Sequence, residues 1–382
     1  MIEIINKEEC CGCYTCVSIC PKNCISMKID EEGFWYPEVN KDICIQCGLC
    51  EKKCPVIQNE DVNDKEVNAY VAYSKNEKIR MKSSSGGLFA ILAEEVLSEG
   101  GVVFGAAFNN KFLVHHVAIE SMEDLKILQG SKYLQSEIGY TYKEAKKFLK
   151  QGRKVLFSGT ACQIAGLKSF LGKDFDNLFT IDVLCHGVPS PKVWEKYINE
   201  KEKKYNASIK QIEFRNKTEG WKKFSVKMVF DDSQSYRKNL DIDDYMKLFL
   251  SNICLRPSCH NCKFKSLNRP SDITLGDCWG IENYMPNMDD DKGTSVVLTH
   301  SEKGREMLLN LTEKINLKEA EVDKVLSPTA DSRKSVKSHC NRKKFFKYLN
   351  KDTDISKLVK LIQPSFMRKC IRKIKKIISL EL

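Results

Sequence analysis

Two cysteine runs near the N-terminus have the residue type and spacing to bind an inorganic cofactor. Each run follows C-x2-C-x2-C-x3-C and is followed directly by a proline. The first run is Cys10, Cys13, Cys16 and Cys20 before Pro21, and the second is Cys44, Cys47, Cys50 and Cys54 before Pro55. The two-residue steps turn the chain so that three thiolates converge, whereas the fourth cysteine cannot reach back to the same point.

This spacing is the one that wraps [4Fe–4S] cubes in bacterial two-cluster ferredoxins, where the fourth cysteine of each run binds the other cube. We therefore assign cluster I to Cys10, Cys13, Cys16 and Cys54, and cluster II to Cys44, Cys47, Cys50 and Cys20. A zinc site needs four ligands in total and not two matched runs of four. Disulfides need an oxidising compartment, which nothing in the sequence indicates. The runs predict a protein that moves electrons.

Length and composition are ordinary for a soluble protein. The chain has 382 residues, 42% hydrophobic and 30% charged, which allows two or three domains with a sizeable core. The N-terminal residues lack a charged segment followed by an apolar one, and no apolar stretch is long enough to span a bilayer. With 18 cysteines, we expect a cytoplasmic protein whose thiols are reduced or metal-bound.

The formal charge of +11 does not predict nucleic-acid binding. Residues 1–60 hold six basic against ten acidic residues, a net of −4, and each oxidised cube with its thiolates would add about −2. Much of the positive excess lies in the last 50 residues, and no nucleic-acid-binding motif accompanies it. We therefore expect no nucleic-acid partner.

Behind the cysteine runs, the pattern predicts alternating strands and helices. The polar segment Asn59–Glu66 is typical of a linker. The predicted strands are 69–73, 102–108, 154–157, 178–184, 211–215, 224–230 and 296–299. The predicted helices are 87–97, 137–150, 161–170, 191–204, 242–250 and 302–312. The sequence therefore predicts two parts: an N-terminal α+β domain like a bacterial ferredoxin, followed by an α/β body with a mixed sheet.

A second cysteine set lies in the body. Cys259 and Cys262 have a ligand-like C-x2-C spacing, while Cys162 and Cys185 follow predicted strands. Because adjacent strand ends gather ligands in an α/β sheet, the four could bind a third cluster. The alternative is that they are small apolar residues of the core, as buried free cysteines commonly are. Spacing alone leaves both readings open.

Six longer motifs lie in the body of the chain: SSSGGLFAIL (83–92), GSKYLQS (130–136), VLFSGTACQIAGL (155–167), IDVLCHGVPSPKVWEKY (181–197), FRNKTEGW (214–221) and RPSCHNCKFKSLNRPSDITLGDCWGI (256–281). Together they resemble the coenzyme F-420 hydrogenase/dehydrogenase beta subunit family. The resemblance runs from about residue 68 to 312, and the ferredoxin-like domain is a frequent companion in the family. It implies FAD, [4Fe–4S] clusters, and electron exchange between a one-electron carrier and a two-electron acceptor, which is coenzyme F-420 in methanogen members.

The resemblance divides the chain into four segments: a two-[4Fe–4S] ferredoxin-like domain at 1–60, the family's N-terminal-type domain at 61–175, its C-terminal-type domain at 176–335, and a basic amphipathic tail at 336–382. It also favours Cys162, Cys185, Cys259 and Cys262 as ligands of a third cluster, with Cys254 and Cys278 as spare candidates. One departure is Ala161, which stands where family members usually have proline before the cysteine.

The FAD implied by the family needs backbone N–H donors for its pyrophosphate, at a junction of small residues and a helix. Two junctions qualify, Ser84-Ser85-Gly86-Gly87 and Gly159-Thr160. In the motif Ser131-Lys132-Tyr133, the lysine could neutralise phosphate and the tyrosine could stack on a ring. The alternative for the serine–glycine run is a capped helix start. No G-x-G-x-x-G follows a strand, so a Rossmann nicotinamide site is not indicated.

Three further residues are candidates by position. His186 and Asp182 are catalytic candidates, His186 as a proton shuttle to a reduced substrate, although a lone histidine is commonly structural. Asp277 is a candidate FAD contact, with an Asx-turn as its alternative.

The last residues, Ser365–Leu382, combine six basic residues with an apolar stripe at helical spacing. The stripe consists of Met367, Ile371, Ile374 and Ile378. Such a helix could lie on the anionic inner face of the membrane or pack on the protein body. The two readings differ in whether the protein has a peripheral membrane contact.

The sequence thus predicts a flavoprotein oxidoreductase that passes electrons between [4Fe–4S] clusters and FAD, and from FAD to an organic acceptor. Its partners would be ferredoxin or another one-electron carrier, a small-molecule redox substrate and a partner redox subunit. One alternative is a non-catalytic electron-relay subunit of a larger hydrogenase or dehydrogenase complex. A weaker alternative is a redox sensor.

Overall fold

The computed structural model describes residues 1–58, 66–326 and 333–362. The strands are β1 (Ile25–Ile29), β2 (Trp35–Val39), β3 (Asn68–Ser74), β4 (Val102–Phe108), β5 (Val114–Ile119), β6 (Ser136–Glu137), β7 (Val155–Gly159), β8 (Leu178–Val183), β9 (Ile209–Asn216), β10 (Ser225–Phe230), β11 (Ser235–Asn239), β12 (Ile273–Asp277), β13 (Ser295–Thr299) and β14 (Ile315–Ala320). The helices are α1 (Thr15–Ile19), α2 (Leu49–Lys52), α3 (Glu77–Lys82), α4 (Leu88–Ser98), α5 (Leu125–Leu128), α6 (Thr141–Lys150), α7 (Ala161–Leu171), α8 (Pro191–Tyr205), α9 (Asp244–Leu250), α10 (Ile281–Tyr284), α11 (Glu302–Leu309), α12 (Val322–Leu326), α13 (Arg342–Leu349) and α14 (Ile355–Val359).

The main sheet confirms the predicted mixed α/β body. Over the described ranges its strand order is β14-β3-β13-β12-β8-β7-β4-β5-β6. The central strands β4, β7, β8 and β12 are parallel, whereas β3, β13 and β14 are joined to their neighbours in antiparallel fashion. The carboxyl ends of β7, β8 and β12 therefore lie at one edge of the sheet, where ligand sites form in open α/β sheets.

The faces of the main sheet are covered by helices because its strands alternate between two apolar sides. Val103 packs with α4 and α5, whereas the next residue, Phe104, packs with α6 and α7. Successive strand residues point to opposite faces, so both sides of the central strands are buried. The predicted boundary between residues 175 and 176 lies between the adjacent strands β7 and β8.

The N-terminal domain packs on α7. It contains the antiparallel hairpin β1–β2 between the two cysteine runs. A Cβ atom on Gly166 would lie 2.7 Å from Thr15 Oγ1 and 3.0 Å from Cys13 Cβ, so α1 can approach α7 this closely because residue 166 is glycine. Tyr14 is buried in the same apolar cluster as α6 and α7. The first cysteine run is therefore held against the body.

A small antiparallel sheet, β11-β10-β9, forms a separate aromatic core with α8 and α9. Trp194, fully buried, lies at its centre against Phe214 and Tyr245, with ring centroids 4.7 and 4.8 Å away. The segments 211–215 and 224–230, predicted as strands from their alternating apolar residues, correspond to β9 and β10, which pair with each other in antiparallel fashion.

The segment predicted as a tail begins with folded structure. Phe345, Phe346 and Leu349 of α13 are buried in the aromatic core, and Phe346 contacts Phe34 of the N-terminal domain at 6.5 Å between ring centroids. The predicted amphipathic stripe of 365–382 lies outside the described residues. In the ranges that the structure covers, no helix is both long and apolar enough to cross a membrane.

One predicted helix begins later than expected. The pattern placed its start at Glu137, but Ser136 and Glu137 pair with β5 as β6, and α6 starts at Thr141. The Ser136 hydroxyl bonds to Nδ1 of the buried His116 at 2.6 Å, which holds the segment at the sheet. This tertiary contact overrides the local helical pattern.

Candidate electron-transfer centre

The two cysteine runs fold into matching loops. In each loop the residue before the second cysteine has a positive φ, 69° for Gly12 and 53° for Gln46. The residue after the second cysteine does as well, 66° for Tyr14 and 73° for Gly48, and a short helix follows. Equal spacing has therefore produced equal backbone turns in both runs.

Each loop closes over a cavity that also receives the fourth cysteine of the other run. Cavity I is lined by Cys10, Cys13, Cys16 and Cys54, with apolar walls from Ile2, Ile4, Met27 and Pro37. Cavity II is lined by Cys44, Cys47, Cys50 and Cys20, with Ile25 and Val39. These are the two sets of four that the spacing predicted as ligands.

At least four cysteines line each cavity, which is the ligand type and number that a [4Fe–4S] cube needs. A cube takes its thiolates at four separate corners, so its ligands line a cavity. Within the described ranges, no three His, Cys, Asp or Glu side chains are grouped to hold a single metal ion.

A further cavity joins the second cysteine set. Cavity III is lined by Cys162, Cys185, Cys259 and Cys262, the four residues predicted as third-cluster ligands. Cys162 and Cys185 follow β7 and β8 at the carboxyl edge of the main sheet, and Cys259 lies in the 3-10 turn Pro257–Asn261. The spare candidates, Cys254 and Cys278, are buried elsewhere in apolar clusters.

Cavities I and III share a wall. Cys11 and Val56 line both of them. The Cys11 thiol interacts with the thiols of Cys13 and Cys162, and these hydrogen bonds, together with burial, raise its pKa well above the usual value. Cys11 therefore lies between a predicted ligand of cluster I and a predicted ligand of a third cluster.

Several of these thiols are buried, and burial opposes the thiolate form that binds metal. Burial raises the pKa of Cys16, Cys54 and Cys185 above the usual value, and that of Cys259 to about 12. Metals bind the thiolate form, which such burial disfavours unless a positive partner is present. The irons of a cluster would supply that charge.

The serine–glycine loop predicted to bind phosphate precedes α4. Gly87 has φ +91° and begins the helix without a side-chain cap, which leaves the first N–H groups of the helix for a ligand. Other polar groups of the loop have partners: Ser84 Oγ accepts from Ser131 N–H at 2.7 Å, and the Ser85 hydroxyl donates to Thr294 O at 2.9 Å. The loop thus brings Ser84 and Ser131 together.

Two lysines flank this loop. Lys217, 5% exposed, donates through Nζ to the carbonyl oxygens of Arg80, Ser85 and Lys292 at 2.7–2.9 Å. Lys132 donates to carbonyl oxygens at the end of α5. In the part of the chain that the structure describes, neither pairs with a carboxylate. Burial lowers the pKa of each lysine to about 7.

Tyr133 and Asp277, both predicted FAD contacts, meet through Arg215. The guanidinium binds both carboxylate oxygens of Asp277, at 2.8 and 2.9 Å, and the Tyr133 hydroxyl at 3.0 Å. Trp221 donates to the same carboxylate at 2.9 Å. Gly159 and Thr160 lie elsewhere, at cavity III, where Gln163 accepts from the Thr160 N–H at 2.9 Å. The second predicted phosphate junction therefore already has a partner.

The catalytic candidates lie in different surroundings. Asp182 is fully buried inside the main sheet, beside Arg269 and bonded to the Thr274 hydroxyl at 2.5 Å, and burial raises its pKa. His186 follows Cys185 and contacts Asn252 Oδ1 through Nε2 at 2.6 Å. Its ring meets Phe249 edge-on at 5.0 Å between centroids, and Phe249 stacks on Tyr133 at 5.1 Å.

Sequence reasoning missed Cys11, Cys24 and Lys217. Cys24 lies in cavity II, with its sulfur 3.3 Å from that of Cys20. Neither Cys11 nor Cys24 occupies a ligand position of the C-x2-C-x2-C-x3-C pattern. The signal that could have identified them is their place in the sequence, within the first run and just after it. Lys217 lies in the FRNKTEGW motif, but no local pattern indicates that it is buried beside Ser85.

Comparison with known proteins agrees with this geometry. Residues 152–325 match the family model for the C terminus of the coenzyme F420 hydrogenase/dehydrogenase beta subunit, and residues 9–57 match the "4Fe-4S dicluster domain". One relative is a subunit of the F(420)H(2) dehydrogenase of Methanosarcina mazei, which is 23% identical over 170 residues, 42% of this chain and 48% of that protein. The chain thus spans about half the length of this relative.

The N-terminal domain has its own relatives. The ketoisovalerate oxidoreductase subunit VorC of Methanothermobacter marburgensis is 37% identical over 62 residues, 16% of this chain and 78% of that protein. Among solved structures, a chain of the F420-reducing [NiFe] hydrogenase complex from Methanosarcina barkeri matches with a TM-score of 0.46 and 19% identity, over 68% of this chain and 85% of that one.

The fold and the cysteine cavities define an iron–sulfur electron-transfer protein related to oxidoreductase subunits. Residues 152–325 carry the C-terminal domain of the coenzyme F-420 hydrogenase/dehydrogenase beta subunit family, and residues 9–57 carry a 4Fe-4S dicluster domain. The resemblance noted in the sequence is therefore confirmed.

Proposed function

We propose that the chain is an iron–sulfur flavoprotein oxidoreductase that transfers electrons between a one-electron carrier and a two-electron organic acceptor. Bound [4Fe–4S] clusters would exchange single electrons, and bound FAD would exchange electrons in pairs. The observation that carries the proposal is the wall that Cys11 and Val56 form between cavities I and III. This wall joins the N-terminal domain to the sheet edge of the body.

Cavity II is the proposed entry point for electrons. Cys47 is exposed, as are the neighbouring side chains of Ile43 and Ile45. A redox partner could therefore approach this loop closely, whereas Cys10, Cys13, Cys16 and Cys54 are partly or fully buried. A ferredoxin or another one-electron carrier is the proposed partner.

Cys162, Cys185, Cys259 and Cys262 are the proposed ligands of a third cluster. Cys185 precedes His186, whose ring touches Phe249, and Phe249 stacks on Tyr133. A packed aromatic path thus runs from cavity III to Tyr133. Tyr133 is the residue that we propose to stack on the flavin.

The FAD phosphates are proposed to bind at the N-terminus of α4. The uncapped helix start at Gly87 offers N–H groups, and Lys132 and Lys217 offer positive charge on either side of the loop. Asp277, fixed by Arg215, is a proposed contact for the rest of the cofactor. His186 remains the proposed proton donor. Asp182 also remains a candidate, although its carboxylate lies inside the sheet.

A relay role is the second candidate. The curated relatives named above are a dehydrogenase subunit and an oxidoreductase subunit, each a part of a larger enzyme. In that case the chain would pass electrons to a partner redox subunit and meet no substrate of its own.

Anaerobic purification followed by iron, flavin and turnover assays tests the proposal. We expect about twelve iron atoms and about one flavin per chain, and dithionite-driven reduction of an acceptor such as a deazaflavin or a quinone by the isolated chain. A protein that holds clusters but reduces no acceptor would favour the relay role. A protein that holds zinc and no iron would refute both.

A further inference from the structure

Arg256 connects the two domains through its side chain and is fully buried. Nε donates to Cys10 O at 2.8 Å and Nη2 to Trp35 O at 2.9 Å, both in the N-terminal domain. Nη1 donates to Gln135 Oε1 in the body at 3.2 Å. The guanidinium also lies over the ring of Tyr36, 4.2 Å from its centroid.

Within the described ranges, the charge of Arg256 has no carboxylate as a counter-anion. Its hydrogen-bond partners are neutral oxygen atoms. The other buried arginines do have such partners: Arg80 pairs with Asp290, Arg215 with Asp277, and Arg269 with Asp182. An unpaired buried cation is costly. An anionic group beside Arg256 would remove this cost.

The side chain of Arg256 lies beside cavity I. A Cβ atom on Gly12 would lie 3.1 Å from Cζ of Arg256, so the guanidinium lies directly against the first cysteine loop. Cys10 and Gly12, which the side chain contacts, both line cavity I. Arg256 meets the turn that brings Cys259 into cavity III only through its main chain, where the Cys259 N–H donates to Arg256 O at 3.0 Å.

We propose that Arg256 is a positioning residue that acts as the counter-cation of cluster I. Its fixed charge stabilises the reduced form of this cluster, since reduction adds an electron beside a cation in a low-dielectric site. This role does not depend on the proposed third cluster.

Redox titration of the full chain, followed by EPR, tests this role. In Arg256→Gln we expect the equilibrium constant for reducing cluster I to fall about tenfold, which is about 59 mV to lower potential. Arg256→Lys keeps the charge and should stay close to the wild-type potential. Cluster II serves as the internal reference, because Cys10 and Gly12, which the Arg256 side chain contacts, line cavity I and not cavity II.

The matched control is the double variant Glu32→Gln with Arg342→Gln. It removes another contact between the two domains, in which Arg342 binds Glu32 and Leu255 O, without changing the net charge. We expect it to leave the cluster I potential unchanged. An equal shift in this control would show that loosened domain packing, and not charge, sets the potential.

Two further results would overturn the proposal: an unchanged cluster I potential in Arg256→Gln, or equal loss of cluster I from the Gln and Lys variants. Loss of cluster I from Arg256→Gln, together with full cluster I content in Arg256→Lys, would support the proposal. Iron content separates this test from that of the third cluster. If the wild type holds only about eight irons per chain, the proposal of a third cluster is wrong. The cluster I potential would still decide the role of Arg256.

Discussion

At the residue scale, cavity III depends on four thiols drawn from distant parts of the chain. Replacing Cys259 with alanine should lower the iron content from about twelve to about eight atoms per chain, because a cube that loses one thiolate is poorly held. Cys254→Ala is the matched control, since Cys254 is fully buried but does not line the cavity. Equal iron contents in wild type and Cys259→Ala, by colorimetric iron assay, would mean that Cys259 binds no cluster.

Lys217 gives the proposed flavin site a pH dependence. Burial lowers its pKa to about 7, so above that pH an increasing fraction is neutral in the flavin-free protein. If its charge binds the FAD phosphates, FAD affinity should be highest below pH 7 and should weaken as pH rises, which fluorescence titration would measure.

Two variants and a control sharpen this test. Lys217→Arg should bind FAD with little pH dependence because arginine stays charged, and Lys217→Gln should bind weakly at every pH. Lys223→Gln, at an exposed position nearby in sequence, should match the wild type. A wild-type affinity that does not change between pH 6 and about pH 9 would place the phosphates away from Lys217.

How much of the site could be predicted also depends on residue-scale features. The ligand sets of cavities I and II follow from local spacing, which dictates matching backbone turns. Lys217 and Arg256 carry no such signal, because their roles arise from contacts with Ser85 and Cys10, which are distant in sequence. Local patterns show which residues can bind metal, but not which cations are buried beside them.

At the element scale, the long periodic segments were predictable and some of the strands were not. The sequence pattern predicted α4, α7 and α8 to within about two residues. β12 and β14 were missed, because Gly276 and Asp277 in β12 and the charged Lys318 and Glu319 in β14 weaken the local strand pattern, and pairing with distant strands defines both. The same tertiary pairing turned Glu137 from a predicted helix residue into a strand residue.

The start of α4 provides a prediction at this scale. Gly87→Ala should destabilise the protein by about 1 kcal/mol or more, because φ is +91° and a Cβ would lie 3.3 Å from Ser74 Cβ, and it should also weaken FAD binding because the loop before α4 must shift to admit the methyl group. Gly100→Ala is the control: φ is +72° there, but a Cβ would meet nothing within 4 Å. Denaturant unfolding should give a stability loss for each variant, and only Gly87→Ala should lose flavin. Full flavin occupancy in Gly87→Ala would argue against this site.

Helix α13 is expected to be part of the core and not a detachable tail. Phe345 is fully buried against Phe346. Changing it to alanine should lower the free energy of unfolding by about 3–5 kcal/mol, because the change leaves a cavity. Tyr348→Ala, on the same helix and 38% exposed, should cost much less. Urea unfolding measures both. Equal small losses would mean that the segment contributes little to stability.

At the scale of the whole molecule, the cavities follow one another from the surface to the sheet edge. Cavity II has an exposed cysteine, cavity I shares a wall with cavity III, and the aromatic contacts of His186, Phe249 and Tyr133 continue toward the proposed flavin site. In the proposed function, this order makes cavity III the link between the N-terminal domain and the proposed flavin site.

The most direct test of this account follows flavin absorbance after rapid anaerobic mixing with a one-electron donor. Wild type and Cys259→Ala would be compared, both loaded with clusters I and II and with FAD. We predict that clusters I and II become reduced in both proteins, and that rapid flavin bleaching occurs in the wild type and is lost in Cys259→Ala. Flavin bleaching at the same rate in both proteins would contradict the account.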